Sequence, residues 1–329
     1  MGLKYFTLLC VSAFIPSVSA YCLSRAFLRF KRLHNASGMS LAGGASIGIV
    51  ICLSAALLAL LFPDSYHFYK ALIPPALLIL FAGFWDDIYE LTVAGKLIIQ
   101  LAATALLVVL GLRTRIFFLS DSANILVTFV WVLVITNAFN LLDIMDGLCA
   151  VVAIIVALGL SLVCLFTRDM PLSFFLGVFI GAIAGFLPLN LPHARLYLGN
   201  SGSHFIGFIL AAVSIHMSYA SIYNQTALIS PVFIMGFPVF DTIFVSFMRL
   251  AQGRSAIEKS KDHLALRFLK LGHSKQNALF IMSGGASLFV LCGVVLSRLS
   301  GRVGVLMILI VLSASLVLAK AISMVAVDE

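Results

Sequence analysis

The chain has 329 residues, 62% of them hydrophobic and only 10% charged, with mean hydropathy +1.14 and a formal net charge of +8. Those values exclude an ordinary soluble domain, whose water-facing surface needs roughly 25–35% charged residues. The six cysteines (Cys10, Cys22, Cys52, Cys149, Cys164 and Cys292) are scattered through apolar segments without CxxC spacing, which speaks against a disulfide framework or a cysteine metal site.

Apolar runs able to cross a hydrocarbon core of about 30 Å recur along the whole length. The predicted fold is all-α, a polytopic membrane bundle of about ten to eleven transmembrane helices. The runs lie near 4–22, 41–62, 71–85, 96–112, 124–141, 148–166, 173–190, 204–222, 227–248, 278–297 and 303–324. The first, MGLKYFTLLCVSAFIPSVSA, ends like a cleavable signal peptide, but the basic RAFLRFKRLHN follows at once and favours an uncleaved span. Numbering the loops alternately gathers 14 of the 21 Lys and Arg on one side. The positive-inside rule makes that side cytoplasmic, with the N-terminus periplasmic and the C-terminus cytoplasmic. Acidic residues follow the same bias: of 13, only Asp64, Asp121 and Asp169 fall opposite. The charge rule counts cations alone, so the cytoplasmic face needs oxygens for a reason of its own. Residues 1–329 read as a single membrane-embedded domain without internal repeats. Its longest polar segment is a basic cytoplasmic loop, 249–277, with a short amphipathic helix near Ala265–Leu271.

Four polar clusters fall on that face. GFWDDIYEL, 83–91, carries the adjacent carboxylates Asp86 and Asp87. Such a pair at a membrane surface is unfavourable unless a cation or a proton offsets the charge, which suits metal coordination or general base catalysis; a solvated helix end is the plainer alternative. In NAFNLLDIMDGL, 137–148, Asn137, Asn140, Asp143 and Asp146 recur every third residue. On a helix this spacing makes a slowly turning stripe of hard oxygen donors suited to Mg²⁺, with interhelical hydrogen bonding as the alternative. In GFLPLNLPHARLYLGNSGSHFIGF, 185–208, two prolines bracket Asn190 and Leu191, so the helix is expected to end there. The Gly/Ser-rich LGNSGSHF then opens the next span, where backbone N–H groups can face phosphate oxygens with Arg195 nearby, or simply form a capped turn. Last, Asp241 in FPVFDTIFVSFMRL could pair with Arg249 or another helix, and Asp262 beside His263 could orient the imidazole toward a phosphate. Together these are the parts needed for Mg²⁺-assisted chemistry on a phosphorylated substrate, and the membrane setting points to a lipid as the second substrate.

With these residues assembled, the chain resembles the polyprenyl-phosphate N-acetylhexosamine-1-phosphate transferases, glycosyltransferase family 4. The likeness runs in motif order through GFWDD, NAFNLLDIMDGL, GFLPLNLPHARLYLGNSGS and PVFDTIFVSFMRLAQGRS to the histidine-containing loop. It implies a Mg²⁺-dependent phosphoglycosyltransferase (Mn²⁺ is also compatible) in a bacterial inner membrane, its active site facing the cytoplasm. The implied substrates are a UDP-N-acetylhexosamine and undecaprenyl phosphate, with UMP released and a lipid-linked cell-surface glycan begun. Membrane lipids are the other expected partners; a homodimer is compatible and no nucleic acid is expected. The resemblance implies catalytic roles for Asp86, Asp87, Asp143, Asp146 and His263. It implies substrate contacts for Asn137, Asn190, Gly44, Arg195, Arg267 and Ser203, and metal ligation by Asn140 and Asn200.

Three positions depart from the family pattern. GDxGS is here Gly199-Asn200-Ser201-Gly202-Ser203, so an amide replaces a metal-binding carboxylate. HxHH is here His263-Leu264-Ala265-Leu266, which points to the O-antigen-type branch rather than the peptidoglycan-precursor branch. The early sugar-nucleotide segment is reduced to MSLAGG, 39–44. A weakened or inactive homologue is therefore one alternative. A transporter is another, although it predicts acids at mid-span and on both faces.

Overall fold

The computed structural model describes residues 2–29, 42–217, 225–255, 262–299 and 301–325, and among these the regular structure is helical. Lys259 and Lys261 of the basic loop, the start of MSLAGG and the end of the span expected at 204–222 lie outside the described residues. The chain divides into two compact units, Met1–Ser218 and Tyr219–Glu329.

The first unit contains α1 (Gly2–Phe27), α2 (Gly43–Leu61), α3 (Tyr66–Tyr89), α4 (Val93–Val109), α5 (Asp121–Leu142), α6 (Leu148–Thr167), α7 (Met170–Asn190) and α8 (Gly199–His216). Local chemistry sets several starts. Thr92, Ser120 and Asp169 are N-caps that accept from Gly95 N, Ala123 N and Leu172 N at 3.1, 3.2 and 3.2 Å. The α7 helix ends at Asn190, between the two prolines, with Leu191 N closing the last turn on Leu187 O at 2.9 Å.

Two packing features place the site. Gly177, Gly181 and Gly185 form a stripe on α7 against Ser12, Ala13 and Ser17 of α1, and a Cβ at Gly181 would overlap the Ala13 carbonyl oxygen. With lipid as apolar as the helices, close van der Waals approach of this small-residue kind drives association. The second feature is α8, buried from Ser201 to Ser214 and packed chiefly on α3 and α5. Its polar first turn therefore meets the ends of α3 and α5, where the acid pair and the Asn/Asp stripe lie.

The second unit holds α9 (Ser230–Ile234), α10 (Gly236–Ala251), α11 (Leu264–Lys270), α12 (Lys275–Leu296) and α13 (Gly301–Ser323). The predicted amphipathic helix is α11, one residue earlier than expected. The span expected at 227–248 is broken: a 64° bend separates Ala227–Ile234 from Gly236–Ala251.

Among the described residues eight helices are long and apolar enough to cross a membrane, or nine if the bent pair is one span. Val93–Val109 is a shorter apolar helix. The segment expected at 204–222 begins earlier, as α8, because Gly199 to Ser203 enter the helix. Among the described residues each of the eleven predicted runs falls at least in part on a helix, but eight or nine qualify as spans where ten to eleven were expected, because Val93–Val109 is short and α8 carries a polar first turn. The protein is a multi-pass helical membrane protein.

Candidate active site

An α-helix leaves its first N–H groups without intrahelical partners, and a carboxylate placed there satisfies them and complements the helix dipole. Asp87, in the last turn of α3, does this for α8. Its Oδ1 accepts from Asn200 N at 2.7 Å and its Oδ2 from Ser201 N at 3.1 Å. Gly199 adopts φ +71°, and a Cβ there would come within 2.7 Å of Asp87 Oδ2, so glycine is required twice over.

The neighbouring carboxylate turns the other way. Asp86 Oδ1 accepts from Leu91 N at 2.6 Å, and Oδ2 forms an ion pair with Lys96 Nζ of α4 at 2.5 Å. The offsetting groups for this acid pair are thus a helix N-terminus and a lysine. Asp86, Lys96, Gln100 and His204 line a cavity of about 20 Å³, room for roughly one water molecule. His204 holds its Nδ1 2.9 Å from Asn200 O.

The Asn/Asp stripe divides among three partners. Asn137 exchanges hydrogen bonds with Gln100 of α4 at 2.7 and 3.3 Å, the interhelical alternative considered for this stripe. Asn140 reaches α8: its Nδ2 donates to Asn200 Oδ1 and Ser203 Oγ, both at 3.0 Å. Asp143 follows α5 as its C-cap, and Asp146 Oδ2 lies 3.5 Å from Ala194 N. Burial, then the charges of Asp87 and Asp146, push the Asp143 carboxyl up to about 7, against a hydrogen bond from the Gly199 backbone.

The remaining candidates of this unit have structural partners. Asn190 is a brace, accepting from Gly147 N at 3.1 Å and donating to Leu196 O at 2.9 Å. Gly44 N donates to Leu198 O at 3.1 Å, and a Cβ at Gly44 would strike the backbone of Gly202. Ser203 is buried and its hydroxyl donates to Gly199 O at 2.8 Å, whereas Arg195 is exposed.

In the second unit, His263 Nδ1 lies 3.0 Å from Asp241 Oδ2, and Asp241 Oδ1 accepts from Leu264 N at 3.1 Å. The carboxylate bonded to His263 is therefore Asp241, from α10, while the adjacent Asp262 turns to arginines: its Oδ1 meets Arg267 at 3.1 Å and its Oδ2 meets Arg254 at 3.3 Å. A side chain next in sequence points away from its neighbour's, and sequence adjacency misled here. Arg267 is buried, its Nη1 donates to the carbonyls of Ile322, Ser323 and Val325 at the end of α13, and its guanidinium lies over the Phe244 ring. Desolvation lowers its pKa from the usual arginine value.

Sequence reasoning missed Lys96, Gln100 and His204. A signal existed for Lys96: an acid pair at a membrane surface needs a cation, and Lys96 is the next cationic residue along the chain. Nothing in the pattern marked Gln100, an isolated polar residue in an apolar run, and His204 was passed over at the end of the Gly/Ser-rich LGNSGSHF.

The donor chemistry fits a hard cation. Asn140, Asp143, Asp146 and Asn200 offer only oxygen and amide groups, and the Asp143 carboxyl is strained by like charges that a cation would relieve. Among the described residues no three His, Cys, Asp or Glu converge in a way that could hold a metal by themselves.

Residues 69–218 match the family model described as "Glycosyl transferase family 4". The chain is 30% identical over 233 residues to a probable undecaprenyl-phosphate N-acetylglucosaminyl 1-phosphate transferase of Bacillus subtilis, covering 67% of this chain and 64% of that protein. It is 32% identical over 231 residues to a decaprenyl-phosphate N-acetylglucosaminephosphotransferase of Mycobacterium tuberculosis, covering 61% and 56%. With an undecaprenyl-phosphate alpha-N-acetylglucosaminyl 1-phosphate transferase of Thermotoga maritima it shares 27% identity over 86% of this chain and 87% of that protein. Against the first two, the matched region spans between about half and two-thirds of the relative's length. The matched residues run from within α3 through α8 and include the acid pair, the Asn/Asp stripe and the Gly/Ser turn, so this part of the chain is similar to glycosyl transferase family 4.

Proposed function

We propose that this protein transfers N-acetylhexosamine 1-phosphate from a UDP-sugar to undecaprenyl phosphate, at the cytoplasmic face of a bacterial inner membrane. A phosphate oxygen of the lipid attacks the β-phosphorus. The bond from that phosphorus to the oxygen bridging the two phosphates breaks, and UMP leaves carrying that oxygen. The observation that carries the reading is the junction at the start of α8. Asp87 holds two backbone N–H groups of the Gly/Ser turn, and Asn140 of the stripe bonds Asn200 and Ser203 of the same turn. Three motifs far apart in sequence thus meet at one helix terminus, a setting that favours anions.

Asp143 and Asp146, with the amide oxygens of Asn140 and Asn200, would hold Mg²⁺ together with the diphosphate. When bound, the ion supplies charge stabilisation to the departing UMP. Asp86 orients Lys96, whose partly exposed ammonium is a cation available to a phosphate head group. His263, in the second unit, is assigned a hydrogen bond accepted at its ring nitrogen from the P–OH hydroxyl of a phosphate group. The reduction of HxHH to His263-Leu264-Ala265-Leu266 favours the O-antigen-type branch. A specific observation supports a second reading, a weakened homologue: the Asn200 carbonyl already accepts from Asn140 and brings no charge.

Purified protein with Mg²⁺, undecaprenyl phosphate and a panel of UDP-N-acetylhexosamines should release UMP with at least one sugar. No UMP from any sugar, with the protein shown to be folded, refutes the enzyme and leaves the weakened homologue.

A further inference from the structure

A buried histidine that meets a buried carboxylate has its tautomer chosen for it. An ionised carboxylate only accepts hydrogen bonds, so the facing ring nitrogen must carry a proton and the other nitrogen is left for outside partners. In the second unit both groups are buried, at 2% exposure for His263 and 1% for Asp241. The contact is His263 Nδ1 to Asp241 Oδ2 at 3.0 Å. The other oxygen of the same carboxylate accepts from Leu264 N, the first residue of α11, at 3.1 Å. One side chain on α10 therefore fixes both the ring and the start of the helix that follows it.

We infer that Asp241 is a positioning residue for the proposed transferase reaction, acting only through His263. Asp241 holds Nδ1 protonated and leaves Nε2 as a bare acceptor, the nitrogen that takes a hydrogen bond from the P–OH hydroxyl of a monoprotonated phosphate. Asp262, next to His263 in sequence, takes no part in this, because its carboxylate is bonded to Arg267 and Arg254. The inference rests on the transferase reading for its kinetic consequence, but the tautomer itself does not depend on it.

Asp241→Asn separates the two jobs of the carboxylate. The amide oxygen can still accept from Leu264 N, so α11 stays anchored, while the amide NH₂ faces Nδ1. That arrangement requires an unprotonated Nδ1 and moves the proton to Nε2. Misplacing a catalytic imidazole's tautomer has cost roughly 10⁴-fold in kcat in a serine protease, so a fall of about 10²–10⁴-fold in UMP release is expected, with KM for the UDP-sugar changed less than about threefold. If Asp241 acts through His263, the same substitution in a His263→Ala background costs under about twofold. A merely structural role for Asp241 instead predicts that the loss persists in that background, and that result would overturn the proposal.

Nitrogen-15 NMR of histidine-labelled protein tests the geometry without activity, the His263 signals being those lost in His263→Gln. The wild type should show protonated Nδ1, and Asp241→Asn should show protonated Nε2. The same tautomer in both proteins overturns the inference even if UMP is released. The expected switch in a protein that releases no UMP upholds the positioning and refutes the transferase reading alone.

Discussion

Replacing Asp143 with asparagine should stabilise the metal-free protein at alkaline pH and do little for it at pH 4. The carboxyl has a model value of 3.8 and is pushed up to about 7 by burial and by Asp87 and Asp146. The native state therefore binds a proton at Asp143 more tightly than the unfolded chain does. Between about pH 4 and pH 7 the native state holds more protons, so stability falls as pH rises through that window. A shift of roughly three units corresponds to about 4 kcal/mol at most. Asp143 keeps some solvent access, and discounting for screening leaves about 1–2 kcal/mol. The substituted amide carries no charge and escapes the penalty. Thermal unfolding in detergent with EDTA should give Asp143→Asn a Tm about 2–5 °C above wild type at pH 8, with the gap shrinking toward zero at pH 4. A gap that is constant with pH, or of opposite sign at pH 8, refutes the account of carboxylate crowding at the start of α8.

Asn200→Asp adds a further carboxylate to the same crowd, so it should lower Tm without metal and gain more Tm than wild type as Mg²⁺ is titrated in; equal Mg²⁺ responses would remove position 200 from the cation site. Lys96→Met strips Asp86 of its partner and should cost about 1–2 kcal/mol after discounting for the partial exposure of Lys96, with Lys96→Arg retaining most of the stability in chemical denaturation. Gly181→Leu should lower Tm by about 3–6 °C through overlap with α1, whereas Gly284→Leu, where a Cβ meets nothing within 4 Å, should stay within about 1 °C.

Much of the fold was legible because membrane spans declare themselves by length and composition, and each of the eleven runs meets a helix among the described residues, although only eight or nine are long and apolar enough to span. The break at Met235 was not read, although Pro231, Gly236 and Pro238 flank it, because mostly apolar residues continue on both sides of the bend. Nor was the Gly177–Gly181–Gly185 stripe recognised, since small residues are common in such helices and only the facing α1 gives the spacing meaning. In the candidate site the motifs pointed to the right neighbourhood but not to the partners. The link between Asn140 and Asn200 crosses 60 positions, and the Gln100–Asn137 exchange joins helices through residues of no evident motif. Asp241 and Asp262 swapped expected roles because a helix end turns adjacent side chains apart.

The grip of Arg267 on the carbonyls of Ile322, Ser323 and Val325 makes the end of α13 a fastening for the His263 segment. Deleting the chain from Ile322 onward would strand a buried guanidinium, and the disturbance would reach α11 through the Asp262 pair long before any transmembrane contact was lost. Tags and fusion partners joined beyond Val325 leave that fastening intact; those replacing it do not.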